Sequence, residues 1–203
     1  MKLGQKAMEQ LRAEVTGCLK PGDELLVIGP VALSGTVFLT EASYGFLRKF
    51  FSEGFLREAS CLEQKYGTGS PAEESSAWKA AEAAGATALI PMGESGVLSA
   101  LWKMAEASGV GLTADLRRIP IRQETIEICE KLDINPYKLW SRGGFLAGIP
   151  SGEGLVQTCC QMGIMAAVIG QTNKGNDRLL YSGENVRYLE RPGRDEKEKL
   201  WQD

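Results

Sequence analysis

Two glycine-containing loops carry the residues of this sequence best suited to binding chemistry. The first, Gly93-Glu94-Ser95-Gly96, directly precedes a stretch with helical periodicity that starts at Val97. Amides in the first turn of a helix have no partner within the helix, and the helix dipole adds positive charge, so a phosphate or carboxylate could bind there. The second, Arg142-Gly143, precedes an apolar strand, and its guanidinium could hold a phosphate. Both loops also have a simpler interpretation, as turns whose glycines adopt positive φ and whose arginine faces solvent.

Glu94 leaves three interpretations open: a catalytic acid, a metal ligand, or a favourable charge near the start of a helix. The sequence contains no histidine, which excludes a Ser-His-Asp or Cys-His arrangement within these residues. Its five cysteines show no C-x-x-C spacing, so no metal site is predicted. The sequence contains neither a P-loop nor a dinucleotide-binding glycine motif, and the glycine loops at 29–36 and 170–175 are interpreted mainly as turns. No catalytic residue is assigned.

Strands and helices alternate around these loops. Helical periodicity is found over residues 5–19, 37–51, 53–66, 73–84, 97–107, 122–132 and 153–162. Strand patterns are found over residues 24–28, 86–90, 110–114, 145–149, 164–169, 178–182 and 186–189. The alternation predicts an α/β or α+β fold. The last two strands form a hairpin, which favours a mixed sheet over a purely parallel one.

The length of 203 residues and the ordinary globular composition suit one main domain. We expect an N-terminal helix over 1–20, the domain over 21–190, and a charged tail over 191–203 that frays. The net charge of −3 argues against nucleic acid as a partner. No apolar run reaches the roughly 20 residues of a membrane helix, and the N-terminus does not resemble a signal peptide. A cytoplasmic protein without membrane contact is therefore predicted.

Four segments carry a family resemblance. They are KPGDELLVIGPVALSGTVFL, GESGVLSALWKMAEASGVGL, IPIRQETIEICEKLDINPYKLWSRGGFLAGIP and GIMAAVIGQTNKGNDRLL. Their order and spacing, over about residues 20–190, resemble the C-terminal domain of the aminoimidazole ribonucleotide (AIR) synthase-related superfamily. Among its branches, the chain is most similar to the hydrogenase expression/formation proteins, which are maturation dehydratases.

The resemblance implies a two-domain arrangement. In that family, an N-terminal domain dimerises and binds Mg-ATP through acidic residues, and a C-terminal domain closes over the cleft. The C-terminal fold is a mixed sheet with helices on both faces. Members use ATP to activate an oxygen atom that then leaves with phosphate. For this chain, ATP and Mg are therefore expected only through the resemblance, and we expect no cofactor to be bound strongly by these residues.

Three departures from the family pattern shape the functional hypothesis. Only about 20 residues precede Pro21, too few for the ATP-binding domain. The family's Asp-x-Thr-x-Gly-Gly loop is replaced by Pro91-Met92-Gly93-Glu94-Ser95-Gly96, and the carrier cysteine at the end of the hydrogenase branch is absent from Leu200-Trp201-Gln202-Asp203. These departures favour an accessory or ligand-binding module with a phosphate-binding loop, and the branch suggests a link to hydrogenase maturation. The alternative is a subunit of an ATP-dependent synthase or dehydratase.

The expected partners follow from the same comparison with the family. Without the N-terminal half, apolar surface should stay exposed unless another chain covers it. We therefore expect a homo-oligomer, or a complex with a separately encoded ATP-binding domain. A small anionic ligand is a further expected partner, because of the helix start at Ser95 and Gly96 and the guanidinium of Arg142.

Overall fold

The chain forms a mixed α/β structure in the computed structural model, which describes residues 3–67 and 69–201. The helices in these residues are α1 (Gln5–Ala13), α2 (Leu33–Ala42), α3 (Tyr44–Leu47), α4 (Glu53–Ser60), α5 (Leu62–Tyr66), α6 (Ser76–Ala83), α7 (Gly96–Ser108), α8 (Gln123–Lys131) and α9 (Glu153–Gln161). The strands are β1 (Thr16–Gly17), β2 (Glu24–Ile28), β3 (Ala88–Gly93), β4 (Gly111–Asp115), β5 (Ser141–Ile149), β6 (Ala166–Asn173), β7 (Arg178–Ser182) and β8 (Asn185–Tyr188). Short 3-10 helices cover Ala72–Glu74, Leu116–Arg118, Pro136–Lys138 and Glu196–Trp201.

A single sheet contains these strands in the order β1-β3-β5-β2-β6-β4-β7-β8. Neighbouring strands are antiparallel, except for β4 and β7, which are parallel. The mixed sheet that the sequence predicts is therefore confirmed, and the hairpin of β7 and β8 forms one of its edges. In the described ranges, no helix is both long enough and apolar enough to cross a membrane.

Helices cover both faces of the sheet because its central strands are apolar on both sides. Successive side chains of a strand point to opposite faces. Leu25 and Val27 of β2 pack into the larger core cluster, together with residues of α2, α4, α7 and α8. Leu26 and Ile28 pack into the smaller cluster, together with residues of α6 and α9. The arrangement with helices on both faces agrees with the fold that the family resemblance implies.

The single helix predicted over residues 5–19 is wrong in its second half. Helix α1 ends at Ala13, and the chain then enters β1, where Gly17 pairs with Ala88. Gly17 has a φ of 81°, and a side chain there would collide with the carbonyl group of Thr87. Pairing with a strand that is distant in sequence therefore overrides the local helical periodicity. The first turn of α2 is a second difference, since this helix begins at Leu33 rather than at residue 37.

The charged tail, which the sequence predicts to fray, is instead packed on the domain. A 3-10 helix forms over Glu196–Trp201, and Asp195 is only 4% exposed. The side chain of Glu196 accepts a hydrogen bond from the Asn135 amide at 3.2 Å, and the ring of Trp201 meets that of Phe38 edge-on at 6.3 Å. These contacts lie far apart in sequence, so the charge pattern alone could not indicate them. Residues 202 and 203 of the predicted tail lie outside the described residues.

Candidate functional site

Four loops lie together at one end of the central strands of the sheet, which we call the loop-bearing edge. Ile28, at the end of β2, pairs with Phe145 near the start of β5 and with Ala166 at the start of β6. Gly93, at the end of β3, pairs with Ser141, the first residue of β5. The loops after β2 and β3 and the loops before β5 and β6 therefore lie side by side. Both segments that the sequence analysis singled out lie at this edge.

Helix α2 begins at this edge without a capping side chain of its own. Ala32, the residue before the helix, has a left-handed conformation with a φ of 58°. Its amide donates a hydrogen bond to Ser141 Oγ at 2.8 Å, and the Gly35 amide donates to the carbonyl oxygen of Trp140 at 3.0 Å. Groups around the start of β5 thus satisfy N–H groups that a local Ser or Asp cap would otherwise bind.

A carboxylate already lies near the start of α2. Ser34 Oγ donates a hydrogen bond to Glu63 Oε1 at 3.1 Å and accepts one from the Arg142 amide at 3.3 Å. Glu63 belongs to α5, so the Ser34 hydroxyl links three separate segments. Negative charge is favourable at a helix N-terminus, which explains the position of this carboxylate. An anionic ligand here would compete with Glu63 for the same hydroxyl.

Helix α7 begins in a similar way. Ser95 has a φ of 57° and makes no cap to its own helix. Its amide donates a hydrogen bond to Asp195 Oδ2 at 2.8 Å, and its hydroxyl donates to the carbonyl oxygen of Gly193 at 3.1 Å. The amide for which the sequence predicts an external anion is thus bound to a carboxylate of the chain itself.

Gly96 and Glu94 lie on either side of this contact. Gly96 has a φ of 64°, and a Cβ atom there would come within 2.7 Å of the carbonyl oxygens of Tyr137 and Leu139. A glycine is therefore required for the close packing of this loop, whatever else it does. Glu94 is largely exposed, and its Oε1 lies 3.4 Å from Nζ of Lys197.

Arg142 and Gly143 lie on β5, next to the end of β3. Gly143 has a φ of 78°, and a side chain on the following Gly144 would collide with the carbonyl oxygen of Pro30. The Arg142 side chain is exposed and forms no ion pair with any described residue. The structure thus brings the two predicted segments onto adjacent strands, but each lies beside the start of a different helix.

A cleft of about 490 Å³ opens beside the start of α2. This volume lies in the range of small-molecule sites. The cleft is lined by backbone and small residues from the loop after β2, by two cationic side chains, by a tyrosine, by the acidic residue Glu74, and by serines near the start of α6. These residues include Gly29, Pro30, Val31, Leu33, Lys65, Tyr66, Ser75, Ser76 and Arg122.

Arg122 is the cation of this cleft with the most contacts to neighbouring side chains. Its guanidinium lies 3.9 Å from the centre of the Tyr66 ring, a cation–π contact. It also donates two hydrogen bonds to the Glu124 carboxylate, at 3.1 and 3.2 Å. These hydrogen bonds lower the pKa of Glu124 and raise that of Arg122. Both groups therefore stay charged at neutral pH, and the guanidinium is held in a fixed orientation.

Sequence reasoning missed Lys65, Tyr66 and Arg122 as cleft residues. It assigned all three to helical segments, because their local pattern is helical. The closeness of Arg122 to Glu124 in sequence is a signal of an ion pair. Nothing in the sequence, however, connects that pair to the loop at Gly29 and Pro30, because the connection is made only by the pairing of β2, β6 and β4.

The loop-bearing edge does not fit Mg-ATP. Mg²⁺ is usually held through carboxylates together with phosphate oxygens. At the loop where the family pattern has an aspartate, the Ser95 hydroxyl donates to a carbonyl group and Glu94 pairs with Lys197. Over residues 3–67 and 69–201, no three His, Cys, Asp or Glu side chains are grouped so as to hold a metal ion. At this loop, the side chains at the positions of the family pattern are thus engaged with groups of the chain itself.

Comparison with known proteins identifies one matching family. Residues 20–181 match the model of the family described as AIR synthase related protein, C-terminal domain. No curated protein sequence matches the chain significantly.

Several solved structures share the fold. The hydrogenase maturation protein HypE of E. coli aligns with a TM-score of 0.64 and 19% identity, over 87% of this chain and 52% of that one. HypE in complex with ATP aligns with a TM-score of 0.59 and 15% identity, over 88% and 53%. Thiamine monophosphate kinase from Aquifex aeolicus aligns with a TM-score of 0.56 and 19% identity, over 80% and 51%. The chain therefore spans about half the length of these relatives, and the likeness concerns the fold.

Proposed function

The chain belongs to the family of AIR synthase-related C-terminal domains, and on this premise we propose that it is a ligand-binding module for a small phosphorylated molecule. The module works together with an ATP-binding domain that lies outside these 203 residues. In this arrangement the chain binds and orients the ligand, and the ATP-binding domain supplies the phosphoryl chemistry.

The cleft beside α2 carries this proposal. The loop at Gly29 and Pro30 forms one side of it, and this loop is held close to β5, because Gly144 packs against Pro30 with no room for a side chain between them. Its walls offer the two cations Lys65 and Arg122 and the ring of Tyr66. Cations and free N–H groups bind phosphate oxygens, and an aromatic face suits a ring or another flat group of the ligand. The cations and the ring together fit a ligand that has both a phosphate group and an organic part better than they fit free phosphate or an unphosphorylated compound.

Arg122 is the residue we assign to the phosphate. Its bidentate contact with Glu124 and its stacking on Tyr66 fix the guanidinium before any ligand arrives. A pre-oriented side chain loses less conformational freedom on binding, which favours affinity. A guanidinium also presents five N–H donors, more than the carboxylate of Glu124 occupies.

The named relatives support this ligand class. HypE has been solved with ATP, and the kinase from Aquifex aeolicus is named for thiamine monophosphate. Both names refer to phosphorylated compounds. We extend the proposal to an accessory role in hydrogenase maturation, the process for which HypE is named. The alternative, a subunit of an ATP-dependent synthase or dehydratase, is favoured by the fold shared with ATP-bound HypE.

Titration calorimetry tests the proposal, with thiamine monophosphate compared with thiamine, and adenosine 5′-monophosphate compared with adenosine. We expect the phosphorylated compounds to bind more tightly than their unphosphorylated counterparts. Arg122→Ala should weaken that binding roughly 10- to 100-fold, the range for a lost hydrogen bond to a charged group.

Arg118→Ala is the matched control, because Arg118 is exposed in the same connection and does not line the cleft. Its affinity should equal that of the unchanged protein, and circular dichroism should show both variants folded. Equal affinity for phosphorylated and unphosphorylated compounds would contradict the proposal. Phosphate release from Mg-ATP by the purified chain would instead support the alternative of an ATP-dependent enzyme.

A further inference from the structure

We propose a second anion-binding site in a small pocket between the first turn of α7 and the C-terminal segment 187–194. We call it the strap pocket, and the segment 190–201 the strap. The ligand class is a phosphate-type oxyanion, either free or as the phosphate group of a metabolite. The pocket is lined by Ser95, Ser99, Lys138, Arg187, Arg191 and Arg194, among others.

The hydroxyl of Ser99 is the first observation that points to a ligand. Ser99 is 4% exposed, and its side chain lines the strap pocket. Within the described residues, its hydroxyl has no hydrogen-bond partner. The oxygen of this hydroxyl is not sealed from solvent, since the buried side-chain polar atom without a partner among the described residues is Arg178 Nε, so a partner entering the pocket can reach it. A polar ligand or a water molecule in the pocket would supply the missing partner.

The second observation is the charge around the pocket. Lys138 is paired with Glu190 at 3.1 Å, and Arg194 lies 3.8 Å from Glu198. Arg187 and Arg191 form no ion pair in the part of the chain that the structure describes. Two arginines without an ion pair therefore line the same small space as the N-terminus of α7, and the guanidinium of Arg191 lies over the Trp102 ring at 5.8 Å. The helix dipole adds to their positive potential, so an anion is the ligand that this space favours.

The strap acts as a lid over this site. The pocket has a volume of about 30 Å³, room for a water molecule but not for a phosphate. Asp195 holds the strap closed through its hydrogen bond from the Ser95 amide. A phosphate must therefore shift the strap, and it competes with the Asp195 carboxylate for the positive end of α7.

This site is separate from the cleft of the proposed function. The two share no lining residue. Arg122→Ala should therefore leave anion binding in the strap pocket unchanged, so that failure of either proposal can be recognised independently of the other.

Nuclear magnetic resonance of the ¹⁵N-labelled full chain tests the site, with inorganic phosphate and glycerol 3-phosphate as probes. We expect saturable shifts of the Ser95 and Ser99 amide signals. Ser99→Ala should weaken binding about two- to tenfold, the range for one hydrogen bond. It should not lower the melting temperature, because the hydroxyl has no partner in the protein to lose. Binding of both probes identifies a site for any phosphate group, and binding of glycerol 3-phosphate alone identifies a metabolite site.

Charge variants give the second arm of the test. Arg187→Gln should weaken phosphate binding about two- to fivefold. Arg48→Gln is the control and should leave phosphate binding unchanged, because Arg48 is exposed, is far from the pocket in sequence and does not line it. Asp195→Asn should tighten binding, because it removes the competing negative charge. The site is disproved if neither probe shifts these signals at millimolar concentration, or if Ser99→Ala, Arg187→Gln and Asp195→Asn all bind with the affinity of the unchanged chain.

Discussion

The glycines Gly144 and Gly154 have opposite surroundings in the structure. A side chain on Gly144 would meet the carbonyl oxygen of Pro30 and the methyl group of Met92. Gly154 lies in α9, and nothing lies within 4 Å of the position that its side chain would take. The first glycine is required because two loops of the sheet edge touch there. The second glycine makes no such contact, and its effect is only to lower the stability of the helix that contains it.

The two glycines therefore predict opposite effects on stability. Gly144→Ala should lower the free energy of unfolding by about 1–3 kcal/mol or more, because the added methyl group cannot be accommodated without backbone shifts. Gly154→Ala should raise it by about 0.4–1 kcal/mol, because alanine restricts the unfolded chain and favours helix. Urea unfolding followed by circular dichroism measures both. Equal effects of the two changes would contradict the close contact at Gly144.

Helices α2 and α7 each follow a non-glycine residue in the left-handed conformation, and neither has a local capping side chain. Their N-terminal amides are instead bound by groups distant in sequence, Ser141 for α2 and Asp195 for α7. A hydrogen bond of this kind connects the start of a helix to a residue of another element. The geometry of the loop-bearing edge therefore depends on the whole sheet being formed.

Ser141→Ala tests this dependence at α2. The Ser141 hydroxyl is buried, accepts from the Ala32 amide and donates to the carbonyl oxygen of Leu139 at 3.0 Å. Its removal leaves a buried donor and a buried acceptor unpaired, so the free energy of unfolding should fall by about 1–3 kcal/mol. Ser151→Ala, at an exposed serine after the same strand, should change it by less than about 0.5 kcal/mol. A Ser141 variant as stable as this control would show that the cap contributes little.

Exposed apolar side chains at several places bear on how the whole molecule assembles. On the edge strand β8, Val186 is 53% exposed and Tyr188 is 65% exposed, and Phe50 is 52% exposed elsewhere on the surface. An edge strand with apolar side chains is a surface that another chain can cover. The homo-oligomer predicted from the sequence stays a prediction, and these surfaces are where we expect the contact.

Light scattering at micromolar concentration should give a mass of at least twice 22.0 kDa. Tyr188→Lys should shift the mass toward that of one chain if β8 is the interface, because a charge there opposes burial. Lys174→Gln, a change in another exposed loop, serves as the control. A single-chain mass for the unchanged protein would contradict the prediction of an oligomer.

The sequence by itself determined the elements and the family. Apolar runs such as 24–28 and 145–149 identify central strands, because a strand buried on both faces must be apolar throughout. Helical periodicity located α7 and α8 to within about two residues at each end. The glycine loop at 93–96 was also found, since glycines at the ends of strands carry a local signal. The loop predicted at 142–143 is wrong, because these residues belong to β5, which begins at Ser141.

Only the tertiary structure decided which groups share a site. It brought Asp195 onto the amide of Ser95, and placed Lys65 and Arg122 beside the loop at Gly29. These pairs are distant in sequence, so no periodicity or local motif records them. Strand order decides them instead, because the long-range pairing of β2, β5 and β6 fixes which loops are neighbours. The same cause explains why the tail is packed rather than frayed, since its anchors Ser95, Asn135 and Phe38 are brought together by elements formed elsewhere in the chain.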